Sequence, residues 1–206
     1  MLPATQLREQ ILVSLDPRFA AAGFQRPKRD FLWKRKLSRD VRLYVHLNFG
    51  VYQTSVSVSP NMGARHVSVE QVLVECGVRS AGSDAGTFGK MLSELSGGRY
   101  ESHLSDGPEP VADLIWADWC SVGRQFAEDV ADLNLAIESL TSDEPHRWCC
   151  FGRDFRATLL PSALAAQGRH AEALTWLDRF GAEYSAGAQY GPIFERFAAR
   201  LRERIG

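Results

Sequence analysis

The sequence predicts an α+β protein: an N-terminal helix packed on a small antiparallel meander sheet, followed by a mostly helical C-terminal part. Three observations carry that expectation. Apolar residues recur at helical spacing in the first fifteen positions, at a period of two between residues 31 and 59, and at helical spacing again from residue 68 onward. Residues 106–110 (Asp-Gly-Pro-Glu-Pro) form the strongest linker signal. They divide the chain into an expected α+β domain, 1–105, and a helical part, 106–206.

Leu7, Ile11, Leu12 and Leu15 share one helical face. Asp16 and Pro17 are expected to break that helix or to start a second short one, and Gly23 to stop it. Next come three alternating runs. Phe31, Trp33 and Arg35 alternate with Leu32, Lys34 and Lys36. Val41, Leu43, Val45, Leu47 and Phe49 alternate with Arg42, Tyr44, His46 and Asn48. Ser55, Ser57 and Ser59 alternate with Val56 and Val58. Residues 60–63 (Pro-Asn-Met-Gly) are expected to turn. Helices are predicted from Ser68 to Cys76 and from Thr87 to Leu95, with Gly77 and Gly97 as stops. Beyond the linker, Val111, Leu114, Ile115, Trp119, Val122, Phe126, Val130, Leu133, Ile137 and Leu140 keep a spacing that predicts one long helix over 111–140. A helical hairpin turning near Gly168 and a last amphipathic helix from Ile193 complete the chain.

Net charge is −1 over 206 residues, yet the charge is segregated. Residues 1–50 carry ten bases against four acids, and residues 101–145 carry one base, Arg124, against eleven acids. Such asymmetry bears on partners or on internal charge complementarity, not on fold. Arg8 and Glu9 interrupt what a secretory peptide would need as its apolar core, and no run approaches the roughly 18 apolar residues of a membrane span. The expectation is a cytoplasmic protein with reduced thiols and no membrane partner.

The segment Leu15, Ala22, Gly23, Phe24, Arg26 and Phe31, with the Tyr44 and Ser55 strands after it, resembles the uncharacterised bacterial domain-of-unknown-function family 4304 over residues 5 to about 75. That resemblance implies a helix on an antiparallel sheet and no particular reaction. Residues 163–174, with Gly168 and the run Glu172, Ala173, Leu174, resemble the turn of a tetratricopeptide repeat. No second copy follows at a period of about 34 residues, so an ordinary helical hairpin is expected.

No cofactor, metal site or catalytic set is predicted. Gly82, Gly86, Gly89 and Lys90 miss a phosphate loop, because Asp84 stands where a glycine is needed and Met91 where a hydroxyl would hold magnesium. His146, Cys149 and Cys150 lack the spaced cysteine pairs of structural zinc. His66 with Glu70, and His103 with Asp106, are as well explained by caps and loops as by acid–base work.

Two surfaces remain. The acidic helix, with Asp113, Trp116, Asp118, Glu128, Asp129 and Asp132, suits a basic protein in the manner of an immunity protein, so a non-enzymatic interaction module is the leading expectation. The basic hairpin, with Arg26, Lys28, Arg29, Lys34, Lys36 and Arg42 interleaved with Phe31, Trp33 and Tyr44, suits nucleic acid as the alternative. A third arrangement has the acidic helix packed near the hairpin within the protein itself.

Overall fold

The computed structural model of the chain describes residues 4–27, 30–81, 86–184 and 190–206. Helix α1 (Ala4–Ala21) precedes three strands, β1 (Leu32–Lys36), β2 (Val41–Val51) and β3 (Ser55–His66). Helix α2 (Val67–Glu75), strand β4 (Phe88–Met91), helix α3 (Leu92–Ser96) and strand β5 (Glu101–His103) follow. Helix α4 (Glu109–Asp118) runs through a π-helical segment (Trp119–Gly123) into α5 (Arg124–Asp129). Helices α6 (Leu133–Thr141), α7 (Arg153–Ala166), α8 (His170–Tyr184) and α9 (Gly191–Ile205) make up the rest. The strands form one antiparallel sheet in the order β1-β2-β3-β4, with β5 also paired to β3. The α+β class expected from the sequence is the class observed.

The chain divides into two compact units, Met1–Ala64 with Gly89–Asp129, and Arg65–Phe88 with Val130–Gly206. The linker at 106–110 lies inside the first.

In the first unit, α1 buries Leu7, Ile11, Leu12, Leu15 and Phe19, each contributing roughly 1.5–3 kcal/mol. The helix does not break at Pro17. Proline removes the donor to the carbonyl of Val13, but Val13 lies on the exposed side of the helix, at 66% exposure, while Phe19 extends the buried stripe. Gly23, at φ +84°, closes α1: its N–H donates to the Ala20 carbonyl and that of Phe24 to the Phe19 carbonyl, both at 2.9 Å. Phe19 is the hub of the core, with ring centroids 5.0 Å from Trp33, 5.4 Å from Trp116 and 5.7 Å from Trp119. Helices α1 and α4 pack together, and α5 packs on β2.

The expected turn at residues 60–63 is strand, because β3 runs straight through it. The Val58 N–H donates to the Tyr100 carbonyl at 2.8 Å. Pro60 lies beyond the residues of β3 that pair with β5, Ser55 to Ser57. The expected helix from Thr87 is instead β4, then the short α3 ended by Gly97 at φ +75°. Gly89 makes the strand possible: a Cβ there would lie 2.0 Å from the Tyr44 hydroxyl and 2.9 Å from the Met62 carbonyl. Strand β5, three residues long, gives no periodic signal in sequence.

The single helix expected over 111–140 is three helices. The π segment inserts an extra residue per turn, and the buried stripe moves from Val122 and Phe126 to Gly123 and Ala127. Small residues there admit close neighbours: a Cβ on Gly123 would meet the Met62 sulfur at 2.5 Å. The chain then leaves the helix at Val130, and α6 restarts with the Asp132 carboxylate accepting from the Asn134 N–H at 2.8 Å.

The second unit is built around α7, whose residues Arg156 to Ala165 are all buried, packed against α2, α6, α8 and α9. Glu70, 3% exposed, is held by Arg79 at 2.6 Å and by the Thr87 hydroxyl at 2.7 Å, so its buried charge is paired. His66 Nε2 lies 2.9 Å from the Val130 carbonyl. The pairs His66 and Glu70 thus belong to a packed interior.

Candidate nucleic-acid interface

Strands β1 and β2 pair with Leu32 opposite His46, Lys34 opposite Tyr44, Arg35 opposite Leu43 and Lys36 opposite Arg42. Paired residues share a face and alternate along the strand. One face therefore carries Lys34, Lys36, Arg42, Tyr44 and His46. The other carries Trp33, Arg35, Leu43 and Val45, and it faces the core.

The basic block of the sequence is split by this geometry. Lys36, Arg39 and Arg42 are exposed, and among the described residues they have no ion-pair partner; Lys34 is partly buried. Arg26 is committed inside the first unit. Its Nε donates to Asp16 at 2.7 Å, a second guanidinium nitrogen bonds the same carboxylate, and a third group donates to the Asp30 carbonyl at 2.9 Å. The Asp16 carboxylate raises the Arg26 pKa further. The Trp33 indole also donates to Asp16, at 3.0 Å. Lys28 and Arg29 lie outside the described residues, as do Gly82 and Asp84 of the glycine series.

The interleaved aromatics are not base platforms. Trp33 is 1% exposed, and Phe31 stacks edge-on to Phe49 at 5.4 Å under the Arg8 guanidinium. Tyr44 shares the basic face but is buried across Gly89. What the face offers is cationic. His46 lies on it too, and burial lowers its pKa, outweighing the opposing influence of Asp30.

The acidic candidates are each engaged within the protein. Asp113 is ion-paired with Arg18, and Asp118 accepts from the Tyr100 hydroxyl at 2.7 Å. Burial pushes the Tyr100 pKa up strongly, so that hydroxyl keeps its proton. Glu128 pairs with Arg124 at 3.0 Å, and Asp129 accepts from Gln125 at 2.7 Å. Asp132 caps α6 and belongs to the second unit, whereas the other five belong to the first. Trp116 packs against Phe19 in the core of the first unit.

Within that unit, the core-facing side of the hairpin, the end of α1 and the α4–π–α5 run enclose a cleft of about 380 Å³. Arg35 enters it. Its period-two alternation with Trp33 in the sequence already placed Arg35 on the inward face.

Among the described residues, no group of three or more metal-binding side chains comes together. His146 is exposed, while Cys149 and Cys150 are buried. No helix among those residues is long and apolar enough to cross a membrane. Comparison with known proteins found no family model, curated protein or solved structure that matches this chain.

Proposed function

We propose that this protein is a binding module that takes the phosphate backbone of a nucleic acid on the exposed face of the β1–β2 hairpin. One observation carries the proposal. Lys36 stands directly opposite Arg42, and neither has a carboxylate partner among the described residues. Like charges directly opposite on a sheet are destabilising, and a bound polyanion offsets that cost. With Trp33 and Tyr44 buried and Phe31 packed edge-on against Phe49, recognition is of backbone charge and tolerates any base sequence.

A second surface, the acidic side chains of segment 111–140 presented to a basic protein, draws less support, because Asp113, Asp118, Glu128, Asp129 and Asp132 are already engaged within the protein.

Fluorescence anisotropy with a labelled single-stranded RNA and a DNA duplex, at about 50 mM and about 200 mM salt, tests the reading. Binding is expected to weaken with salt on a log–log slope of about −2 to −3, for some three phosphate contacts. A Lys36→Glu, Arg42→Glu double variant, folded by circular dichroism, should lose at least about tenfold in affinity. Absence of binding at the lower salt, or equal binding by the variant, overturns it.

A further inference from the structure

We infer that the cleft of the first unit is a binding site for a small organic monoacid with a flat apolar body. It is a different site from the basic face, on the opposite side of the hairpin. Its volume of about 380 Å³ falls at the small end of the range for ligand pockets. Phe24, Leu43, Trp116 and Trp119 supply apolar and aromatic wall.

The charges fix the ligand class. Three arginines reach the cleft, Arg18, Arg35 and Arg124. Arg18 is matched by Asp113, and Arg124 by Glu128, which also lines the cleft. Arg35 has no hydrogen-bond or ion-pair partner among the described residues. It is partly buried, projects from the core-facing side of β1, and rests against Gly23, where an added Cβ would lie 3.5 Å from its Nε. One cation is therefore left uncompensated beside aromatic walls. A carboxylate fits the planar guanidinium fork in bidentate fashion, and an aromatic body fits the two tryptophans.

The π segment lines the same cleft with Trp119 and Cys120. Cys120 is exposed there, whereas Cys76, Cys149 and Cys150 are buried. That thiol serves as a reporter.

2-Naphthoate is the probe, with 2-naphthalenemethanol as its uncharged counterpart. Titration of the whole chain, followed by tryptophan fluorescence and by calorimetry, should show saturable naphthoate binding at one site and at least about tenfold weaker binding of the alcohol. Arg35→Gln should weaken naphthoate by at least about tenfold and leave the alcohol unchanged. Bound naphthoate should slow alkylation of Cys120 by iodoacetamide, read by peptide mass spectrometry. Naphthoate that does not saturate, or binds no better than the alcohol, overturns the inference. So does a folded Arg35→Gln variant with unchanged affinity, or Cys120 alkylation indifferent to the ligand. If Arg35→Gln fails to fold, the comparison of acid with alcohol on the natural chain and the Cys120 protection decide.

Discussion

The Arg156 guanidinium lies 4.4 Å from the centre of the Trp148 ring, inside the second unit, with no carboxylate among the described residues hydrogen-bonded to it. Its charge is held by other means. Its Nε donates to the Leu140 carbonyl at 2.6 Å, and a terminal nitrogen reaches the Ser142 carbonyl at 3.3 Å. Those carbonyls end α6, where a cation meets the negative pole of the helix. Trp176 and Phe180 stand 5.2 and 5.4 Å from the guanidinium, completing an aromatic surround. Burial lowers the Arg156 pKa, and nearby Arg179 lowers it further.

Replacing Arg156 by Leu strands the Leu140 carbonyl and removes the cation–aromatic contacts. The expected loss is about 2–4 kcal/mol of unfolding free energy in urea. Arg156→Lys keeps the charge but not the planar fork, and should fall between the two. Equal stability of Arg156→Leu and the natural chain would remove the guanidinium from the account of this core.

Gly89 is expected to tolerate no side chain. Gly89→Ala places a methyl 2.0 Å from the Tyr44 hydroxyl and 2.9 Å from the Met62 backbone carbonyl. Overpacking of this kind costs about 1–3 kcal/mol. Adding Tyr44→Phe removes the first clash but not the second, so thermal denaturation should show partial rescue in the double variant.

Two neighbouring acids should separate sharply. Asp132→Ala removes the cap of α6 and is expected to cost about 1 kcal/mol. Asp129→Ala loses one exposed bond to Gln125 and should change stability by less than about 0.5 kcal/mol. Urea melts of the two variants check the contrast.

His46 gives a pH dependence with two signs. Burial lowers its pKa below the ordinary 6.5, so the unfolded chain takes up the proton first. Stability is fully present above about 6.5 and is lost as pH falls from there through the folded value. His46→Gln should flatten that loss in melts between about pH 7.5 and 5. Affinity for nucleic acid should move the other way, because protonated His46 adds a charge to the basic face.

Period-two alternation placed β1 and β2 well, because each strand has one face against a core: Trp33, Leu43 and Val45 are buried as the pattern requires. The same alternation separates Arg35 from Lys34 and Lys36. Period failed where backbone packing overrode it. Val122 and Phe126 fit a regular helix better than Gly123 and Ala127, yet the small residues face inward because Met62 and Leu92 sit too close for larger ones. Strand β5 was illegible because three residues carry no period at all. The paired state of Asp113 and Arg26 was equally hidden, since their partners, Arg18 and Asp16, are chosen by contact between α1 and its neighbours.

By itself, then, the sequence determined the α+β class, the amphipathic faces of α1 and the hairpin, and the segregation of charge. These are properties of local period and composition, which need no knowledge of what lies across the core. Tertiary structure alone decided which charges were left over. An ion pair forms only when folding brings two side chains within a few ångströms. In this protein, that pairing engaged the acidic candidates and left Lys36, Arg42 and, on the inner face, Arg35 without partners among the described residues.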